Sequence, residues 1–475
     1  MAIYRSETLK NQLKVFLTSQ DISIEKFSQQ TGINSEIAAK IYNDEHIIPS
    51  PAILLAIVTS YPISQKNLVV LDPEETPLYG KNQKPMQVTI CGCGNLGHVF
   101  AGLLSARPDL KVNLLVSSAE RAQLLEQAMA ANNGIWVRRR EGDVLARPDR
   151  VTSDPAMAIP GSRLILLCVP SHIEDDVLEK IIPFIDADTY IGAIPGPGGF
   201  NWKATDWLAR FNTKATVFSL ATIPWMCKTI KPGEEVNILG TKDFNGQVTV
   251  PASRAQDVSE LMSKLLLMPV LDLENFLNIT LYPANQLLHS AISYDLFANW
   301  DGTPFAEPPL FYQEMTDEAA KLLQAMDNEL QRVCRTLEQK VPNLNLCAVL
   351  PLSFSIQSAY ADDITDKSTL RSIIATNRAY AGIRTPMTEV EGGYIPDFNC
   401  RFYLEDVPHG LVVIKGVAEL AGVETPTLDK VLIWAQTQMN CEYWVDGALK
   451  GKDIGQSGAP QRYGLNSLDK LMMTV

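Results

Sequence analysis

Five histidines in 475 residues are a small stock of groups that titrate near neutrality. Acid–base chemistry on imidazole must therefore draw on His46, His98, His172, His289 or His409. The eight cysteines, at 91, 93, 168, 227, 334, 347, 400 and 441, include no CxxC pair, which leaves a zinc ribbon or thioredoxin-type motif without support. In a chain this long they read as reduced thiols, mostly in cores. No run of 18 or more apolar residues occurs, and the start MAIYRSETLK is not followed by an apolar signal core. Neither a spanning helix nor a secretory leader is expected, so a cytoplasmic protein is the default. Basic residues are outnumbered, 41 Lys and Arg against 54 Asp and Glu, for a formal charge of −13. That balance argues against a primary nucleic-acid surface or an anionic membrane face, both of which reward cations.

What is present is the composition of a globular protein, 46% hydrophobic and 20% charged, in a length that suits two or three domains. The first segment, 1–82, is read as a small helical domain. Leu9, Leu13, Val15 and Phe16 recur at helical spacing, a second short helix begins in Ile22–Phe27, and Thr31-Gly32-Ile33-Asn34 forms a turn. A third helix follows over Ser35–Tyr42 and an apolar one over Ile53–Tyr61. This order resembles a helix-turn-helix of the Cro/repressor type. Up to Pro85, however, it holds eight Lys and Arg against nine Asp and Glu. A packing role or a homodimer contact is therefore expected ahead of a nucleic-acid partner. Leu71 to Pro85 is polar and contains Pro73 and Pro77, and reads as a linker.

The second segment, 86–277, is α/β in character. Strands are expected at Val88–Cys91, Val112–Val116, Leu164–Val169 and Tyr190–Ile194, each separated from the next by a helical stretch. The strand Gln87–Cys91 runs directly into Gly92-Cys93-Gly94-Asn95-Leu96-Gly97, and a helix starts with His98. A GxGxxG between strand and helix is the context in which the motif binds a dinucleotide. Gly92 allows the tight turn, Gly94 lets a pyrophosphate reach the backbone, and Gly97 lets helix pack on strand. Unpaired N–H groups at the helix start then face the phosphates. At the end of the next strand stand Ser117, Ser118 and Arg121, where an NAD enzyme usually carries an acid for the ribose hydroxyls. Two serines and an arginine suit a 2′-phosphate better, so NADP(H) is slightly favoured over NAD(H). Pro170, just after the strand ending in Val169, is expected to line the cofactor crevice.

Beyond about residue 278 helical patterns dominate: Asn285–Phe297, Asp317–Leu337, Leu370–Ala379, Gly410–Ala421 and Leu428–Met439. From residue 222 onwards a set of strings accumulates in one order. They are Thr222-Ile223-Pro224-Trp225-Met226-Cys227, Trp300-Asp301-Gly302-Thr303-Pro304 and Pro308-Pro309-Leu310-Phe311-Tyr312-Gln313. Pro396-Asp397-Phe398, Glu405-Asp406-Val407-Pro408-His409-Gly410 and Pro460-Gln461-Arg462-Tyr463-Gly464 follow. Over roughly 87–475 the chain resembles the opine dehydrogenases, in particular their octopine dehydrogenase branch. The resemblance implies a Rossmann domain followed by a mainly helical substrate-binding domain (278–475). It also implies NAD(P)H-dependent reductive condensation of a 2-oxo acid with the amino group of an amino acid.

The same resemblance assigns roles. The family's catalytic histidine precedes the Trp-Asp-Gly string by a fixed distance that lands on His289. Reading Leu281-Tyr282-Pro283 as the histidine-proline pair would need an insertion. The partner aspartate falls on Asp406 and the substrate-carboxylate arginine on Arg401. Thr222 is a second polar contact, and Trp225 and Cys227 line the substrate site, the thiol not acting as a nucleophile. Histidine suits the proton transfers of carbinolamine formation and collapse, an aspartate behind it fixes its tautomer, and a guanidinium grips a carboxylate through two parallel hydrogen bonds.

Three features depart from the pattern. Ser290 stands where proline usually follows the histidine. Ala221 replaces an acid that serves the guanidinium of arginine in the octopine branch, which makes arginine an unsafe choice of amine. Pro197 occupies the place of a substrate-contacting glutamine. Two rival readings remain at this point: a simple 2-oxo acid or imine reductase, and a DNA-binding regulator whose Rossmann domain senses NAD(P)H.

Overall fold

The computed structural model describes residues 3–72, 84–360 and 363–474. Most of the linker expected between Leu71 and Pro85 lies outside them. The chain forms two compact units, one of Met1–Gly196 with Lys203–Ile279, the other of Pro197–Trp202 with Thr280–Val475.

The first unit is organised by an eight-stranded sheet. In spatial order its strands are Val270–Asp272, Asn245–Val250, Thr216–Leu220, Tyr190–Ala193, Leu164–Leu167, Met86–Cys91, Leu110–Leu115 and Arg150–Thr152. All neighbours run parallel except the pair of Thr216–Leu220 with Asn245–Val250. Taken from Arg150–Thr152 inwards, six strands follow the order 3-2-1-4-5-6, which is the Rossmann arrangement. The chain reverses direction across the sheet between Met86–Cys91 and Leu164–Leu167, so ligands are expected beyond the carboxyl ends of those two strands. These central strands are buried along nearly their whole length, as Val88, Ile90, Leu164 and Leu166 show, because parallel strands are covered on both faces.

The four strands expected from apolar runs are all present within a residue or two of their anticipated ends. A second sheet had no such signal. It joins Trp225–Lys231, Glu235–Thr241, Ile135–Arg138 and Val144–Ala146. Its hairpin of Trp225–Lys231 and Glu235–Thr241 buries only Trp225 and Val236 and includes exposed Met226, Ile230 and Leu239.

Residues 3–71 belong to this first unit. The helices Ile24–Thr31, Ser35–Asn43 and Pro51–Ser60 stand where the helix-turn-helix reading put them, and Asn34 caps the second through its side chain. The apolar spacing from Leu9 to Phe16 is only partly helical. Leu9–Asn11 is a strand paired with Val69–Leu71, and the helix covers Leu13–Ser19. Buried Asn11 explains the break. Its side chain donates to the carbonyls of Ile41, Asp44 and Ile47, contacts that an extended chain can reach. The core of this segment includes Leu271 from the outermost strand of the large sheet, and Gln256 donates to the Arg5 carbonyl. On Ser35–Asn43, the helix that would read a groove, Lys40 is paired with Glu36.

Among the described residues the second unit is mainly helical, with a hairpin of Met387–Val390 and Gly393–Pro396. Its longest helix, Asp317–Lys340, is capped by Thr316 and buries Leu323, Met326, Leu330, Val333 and Leu337 along one stripe. Asn285–Phe297 is buried on most of its circumference. A π-helical stretch, Val407–Leu411, precedes the buried helix Val412–Ala421. Among the described residues no helix is long and apolar enough to cross a membrane, and no group of three or more His, Cys, Asp or Glu is placed to hold a metal ion.

Candidate active site

In the first unit the glycine-rich loop is held from several sides. Gly92 has φ +105°, and a Cβ there would lie 2.7 Å from the Cys168 carbonyl oxygen. A Cβ on Gly97 would sit 2.1 Å from the Gly92 oxygen, so the helix Asn95–Ser105 can close on the strand only without one. Gly94 differs, since an added Cβ would meet nothing within 4 Å. It is the N-cap of that 11-residue helix and no side chain caps it. The helix start thus has no side-chain cap and room beside Gly94, which suits a pyrophosphate.

Side chains around this loop hydrogen-bond to it and to its neighbours. Buried His98 makes an Nδ1 contact of 2.8 Å with the Gly94 carbonyl, while its Nε2 accepts the Gly233 N–H at 3.0 Å. A carbonyl only accepts, so Nδ1 carries the proton and both nitrogens are engaged. Burial lowers the pKa of His98, and it is a structural histidine. Asn95 accepts the Thr229 N–H at 2.9 Å, which ties the loop to the second sheet. Leu96 is buried against the core. Ser118 caps the helix Ala119–Asn132 by accepting from Arg121 N, and Ser117 is exposed. Arg121 Nε donates to Cys93 Sγ at 2.8 Å, so its guanidinium lies next to the loop. Pro170 begins the short turn after the strand Leu164–Leu167, at the carboxyl end of the sheet.

The string from Thr222 to Cys227 also lies in the first unit. Thr222 Oγ1 and N both contact Asn245 Oδ1, at 3.4 and 3.3 Å, and Asn245 donates back to the Thr222 carbonyl at 2.8 Å. Trp225 is buried edge-on against Phe100, with ring centroids 5.1 Å apart. Cys227 is half-buried, and burial pushes its thiol up to about 11. It is a thiol at neutral pH, which is the wrong form for a nucleophile.

In the second unit His289 projects from the buried face of Asn285–Phe297. Its Nδ1 lies 2.8 Å from Asp406 Oδ2, and its Nε2 lies 2.8 Å from the Tyr312 hydroxyl. Phe402 stacks on the imidazole, centroids 3.8 Å apart, and Phe311 meets it edge-on at 5.7 Å. Asp406 is the residue just before the π-helical stretch. Arg401 begins the short helix Arg401–Leu404, and its Nε donates to Glu405 one turn on. Its side chain is 68% exposed, which leaves the guanidinium open to solvent. The geometry thus joins His289 to Asp406 directly and puts Arg401 five residues before that aspartate. Tyr312 entered the sequence reading only as part of the string Pro308–Gln313, although it touches the imidazole. The string itself was its only signal.

A Rossmann sheet with an open phosphate cradle, joined to a helical unit carrying a buried His–Asp pair, defines an NAD(P)-dependent oxidoreductase. Residues 88–194 match the ketopantoate reductase PanE/ApbA family, and residues 272–439 match the alpha-helical domain of the NAD/NADP octopine/nopaline dehydrogenases. The chain is 32% identical over 397 residues to tauropine dehydrogenase of Arabella iricolor, covering 81% of this chain and 99% of that protein. A structure of octopine dehydrogenase with NADH and L-arginine superposes with a TM-score of 0.76 at 32% identity, covering 82% of this chain and 98% of the other. A second structure of octopine dehydrogenase, with NADH and pyruvate, gives 0.73 at 31% over the same shares. The chain belongs to the opine dehydrogenases, and is an oxidoreductase of that family acting on CH–NH bonds.

Proposed function

We propose that this enzyme condenses a 2-oxo acid of the pyruvate type with the amino group of an amino acid and reduces the imine, with His289 as the acid–base group. The observation that carries this reading is the buried His289–Asp406 contact of 2.8 Å. A carboxylate only accepts, so Asp406 holds the proton on Nδ1 and leaves Nε2 as the working nitrogen. Arg401 receives the 2-oxo acid carboxylate on the guanidinium edge not taken by Glu405, and Thr222 supplies a second polar contact. Trp225 and Cys227 line the site.

NAD(P)H supplies the hydride when bound. Gly92, Gly94, Asn95, Leu96 and Gly97 would hold its pyrophosphate, and Pro170 would border it. Ser117, Ser118 and Arg121 favour a 2′-phosphate, so NADPH is the expected donor. One guanidinium beside two hydroxyls is better matched to a phosphate than to a ribose diol.

The amine is not fixed by likeness. Tauropine and octopine dehydrogenases are similarly related to this chain, both at 32% identity. Ala221 leaves no acid next to Thr222, so an amino acid without a guanidinium is expected. Residues 3–71 serve as a packing element on the edge of the large sheet, in line with the Lys40–Glu36 pair on the helix that would otherwise meet DNA.

The test is NADPH and NADH consumption with pyruvate and a panel of amino acids, together and apart, with mass spectrometry of the product. Consumption that needs both substrates and yields an N-carboxyalkyl amino acid is the expected result. Consumption with the 2-oxo acid alone would make the protein a simple reductase.

A further inference from the structure

His289 has no nitrogen to spare. Nδ1 is held by Asp406 and Nε2 by the Tyr312 hydroxyl, each at 2.8 Å. One ring face is covered by Phe402 and an edge by Phe311. A substrate atom therefore reaches Nε2 only by displacing the phenol or by working through it.

Displacement is opposed by packing. The Tyr312 ring stacks on Tyr380 with centroids 4.5 Å apart and meets Phe311 edge-on at 5.0 Å. Tyr380 is in turn set against Tyr360 at 5.3 Å, so the buried phenol is one member of a run of packed aromatic rings. Moving it would break those aromatic contacts and uncover the ring. A phenol can instead donate and accept at once.

We propose that the Tyr312 hydroxyl is the group that exchanges protons with the substrate, so that Asp406, His289 and Tyr312 form a three-member relay. This rests on the reading of His289 as the acid–base group. With Nδ1 protonated against Asp406, Nε2 accepts the Tyr312 O–H. The substrate ammonium gives one proton to the Tyr312 oxygen as the phenol proton passes to Nε2, which leaves a free amine and an imidazolium. The amine attacks the ketone carbon, and transfer of a proton from nitrogen to oxygen gives a neutral carbinolamine. The imidazolium then returns its proton through Tyr312 to the departing hydroxyl. The C–O bond breaks, water leaves, and a C=N iminium forms with the phenol and neutral imidazole restored. No net proton is gained or lost by the relay. Burial, then the nearby Asp406 and Tyr360, raise the pKa of the phenol, so it stays protonated between transfers.

The experiment compares Tyr312→Phe, His289→Asn and the double variant in the full chain, measuring kcat, KM for NAD(P)H and the deuterium isotope effect with labelled cofactor. Phenylalanine keeps the ring stack and removes only the hydroxyl. A loss of about 10²-fold in kcat is expected, typical of a general acid–base group. KM for NAD(P)H should change less than twofold, and the isotope effect should fall towards 1 as proton transfer becomes limiting. The double variant should be no worse than His289→Asn, because both act on one proton path. Fluorotyrosine at 312, which restores the O–H, should recover at least a third of kcat and guards against a fold defect in the phenylalanine variant. Tyr312→Phe that keeps or gains activity while His289→Asn is inactive would overturn the relay and leave the histidine in place. Multiplicative losses in the double variant would also overturn it. An active His289→Asn would instead remove the reading on which the relay stands.

Discussion

Asp406 Oδ2 lies 2.8 Å from His289 Nδ1 although 117 residues separate them in the chain. The aspartate is carried at the entrance of a π-helical stretch and the histidine on a helix buried almost all round. Two rigid elements thus fix a contact that fixes a tautomer. Asp406→Asn should lower kcat by 10²-fold or more while leaving NAD(P)H affinity unchanged, since an amide can present its N–H to the ring and favour the wrong tautomer. Steady-state kinetics with cofactor titration by fluorescence would decide it, and a kcat within threefold of the parent would dismiss the orienting role.

Arg401 gives a different signature. Its guanidinium is mostly open and anchored at Nε by Glu405. Arg401→Lys keeps the charge and loses the planar fork, so KM for the 2-oxo acid should rise about tenfold, and more in Arg401→Ala, with KM for the amine less affected. Equal changes in both KM values would argue that the residue does not hold the carboxylate.

The two glycines of the phosphate cradle separate stability from binding. Gly97→Ala should destabilise the protein, because its Cβ would overlap the Gly92 oxygen at 2.1 Å. Gly94→Ala meets nothing within 4 Å and should melt like the parent, yet bind NAD(P)H at least tenfold more weakly, since the methyl enters the path of the pyrophosphate. Thermal melts with cofactor titrations would show the contrast. Tight cofactor binding by Gly94→Ala would place the pyrophosphate elsewhere.

A buried pair in the first unit sets a stability test. Lys203 and Glu174 are both fully buried, and Lys203 Nζ donates to Glu174 Oε2 and to the Ser171 carbonyl, each at 2.8 Å. Removing one partner leaves a charge without its counter-ion, so Lys203→Met should cost about 3–5 kcal/mol. Replacing both, as Lys203→Met with Glu174→Leu, should cost far less. Denaturant unfolding of the single and double variants would show it, and simple additivity would count against the pair.

Asp272 yields a pH dependence. Burial raises its carboxyl to about 6 from the ordinary 3.8, against the hydrogen bond from the Glu274 N–H, which lowers it, and with a smaller rise from the Glu274 charge. A carboxyl whose pKa is higher in the folded chain contributes stability that is complete below about 3.8 and lost as pH rises through about 6. Asp272→Asn keeps the acceptor for the Glu274 N–H and removes the charge. It should raise the melting temperature by a few degrees at pH 8 and by much less at pH 5. The opposite ordering would mean that the ionised carboxylate is favoured where it sits.

Much of this architecture was readable beforehand for physical reasons. Parallel strands buried on both faces appear as unbroken apolar runs, which is why Val88–Cys91 and Leu164–Val169 stood out. Long helices with one apolar stripe, such as Asp317–Lys340, announce themselves by period. The hairpin Trp225–Thr241 did not, because it exposes apolar residues and alternates irregularly through its bulges. Leu9–Asn11 mimicked a helix turn until Asn11 found three carbonyls distant in sequence. For the site, His289 and Asp406 came from family strings rather than spacing. Tyr312 and the Lys203–Glu174 pair depend on contacts between separate elements, for which one sequence carries no local sign.

The shared core of residues 3–71 with Leu271 bears on where the chain can be cut. A protein started at residue 84 would retain the whole glycine-rich loop and every residue assigned to the reaction. It would also uncover Leu271 on Val270–Asp272, the outermost strand of the large sheet. A bare outer strand with an apolar side chain is a template for another copy. Such a shortened protein is expected to precipitate during purification, and its inactivity would report self-association rather than the loss of a catalytic part.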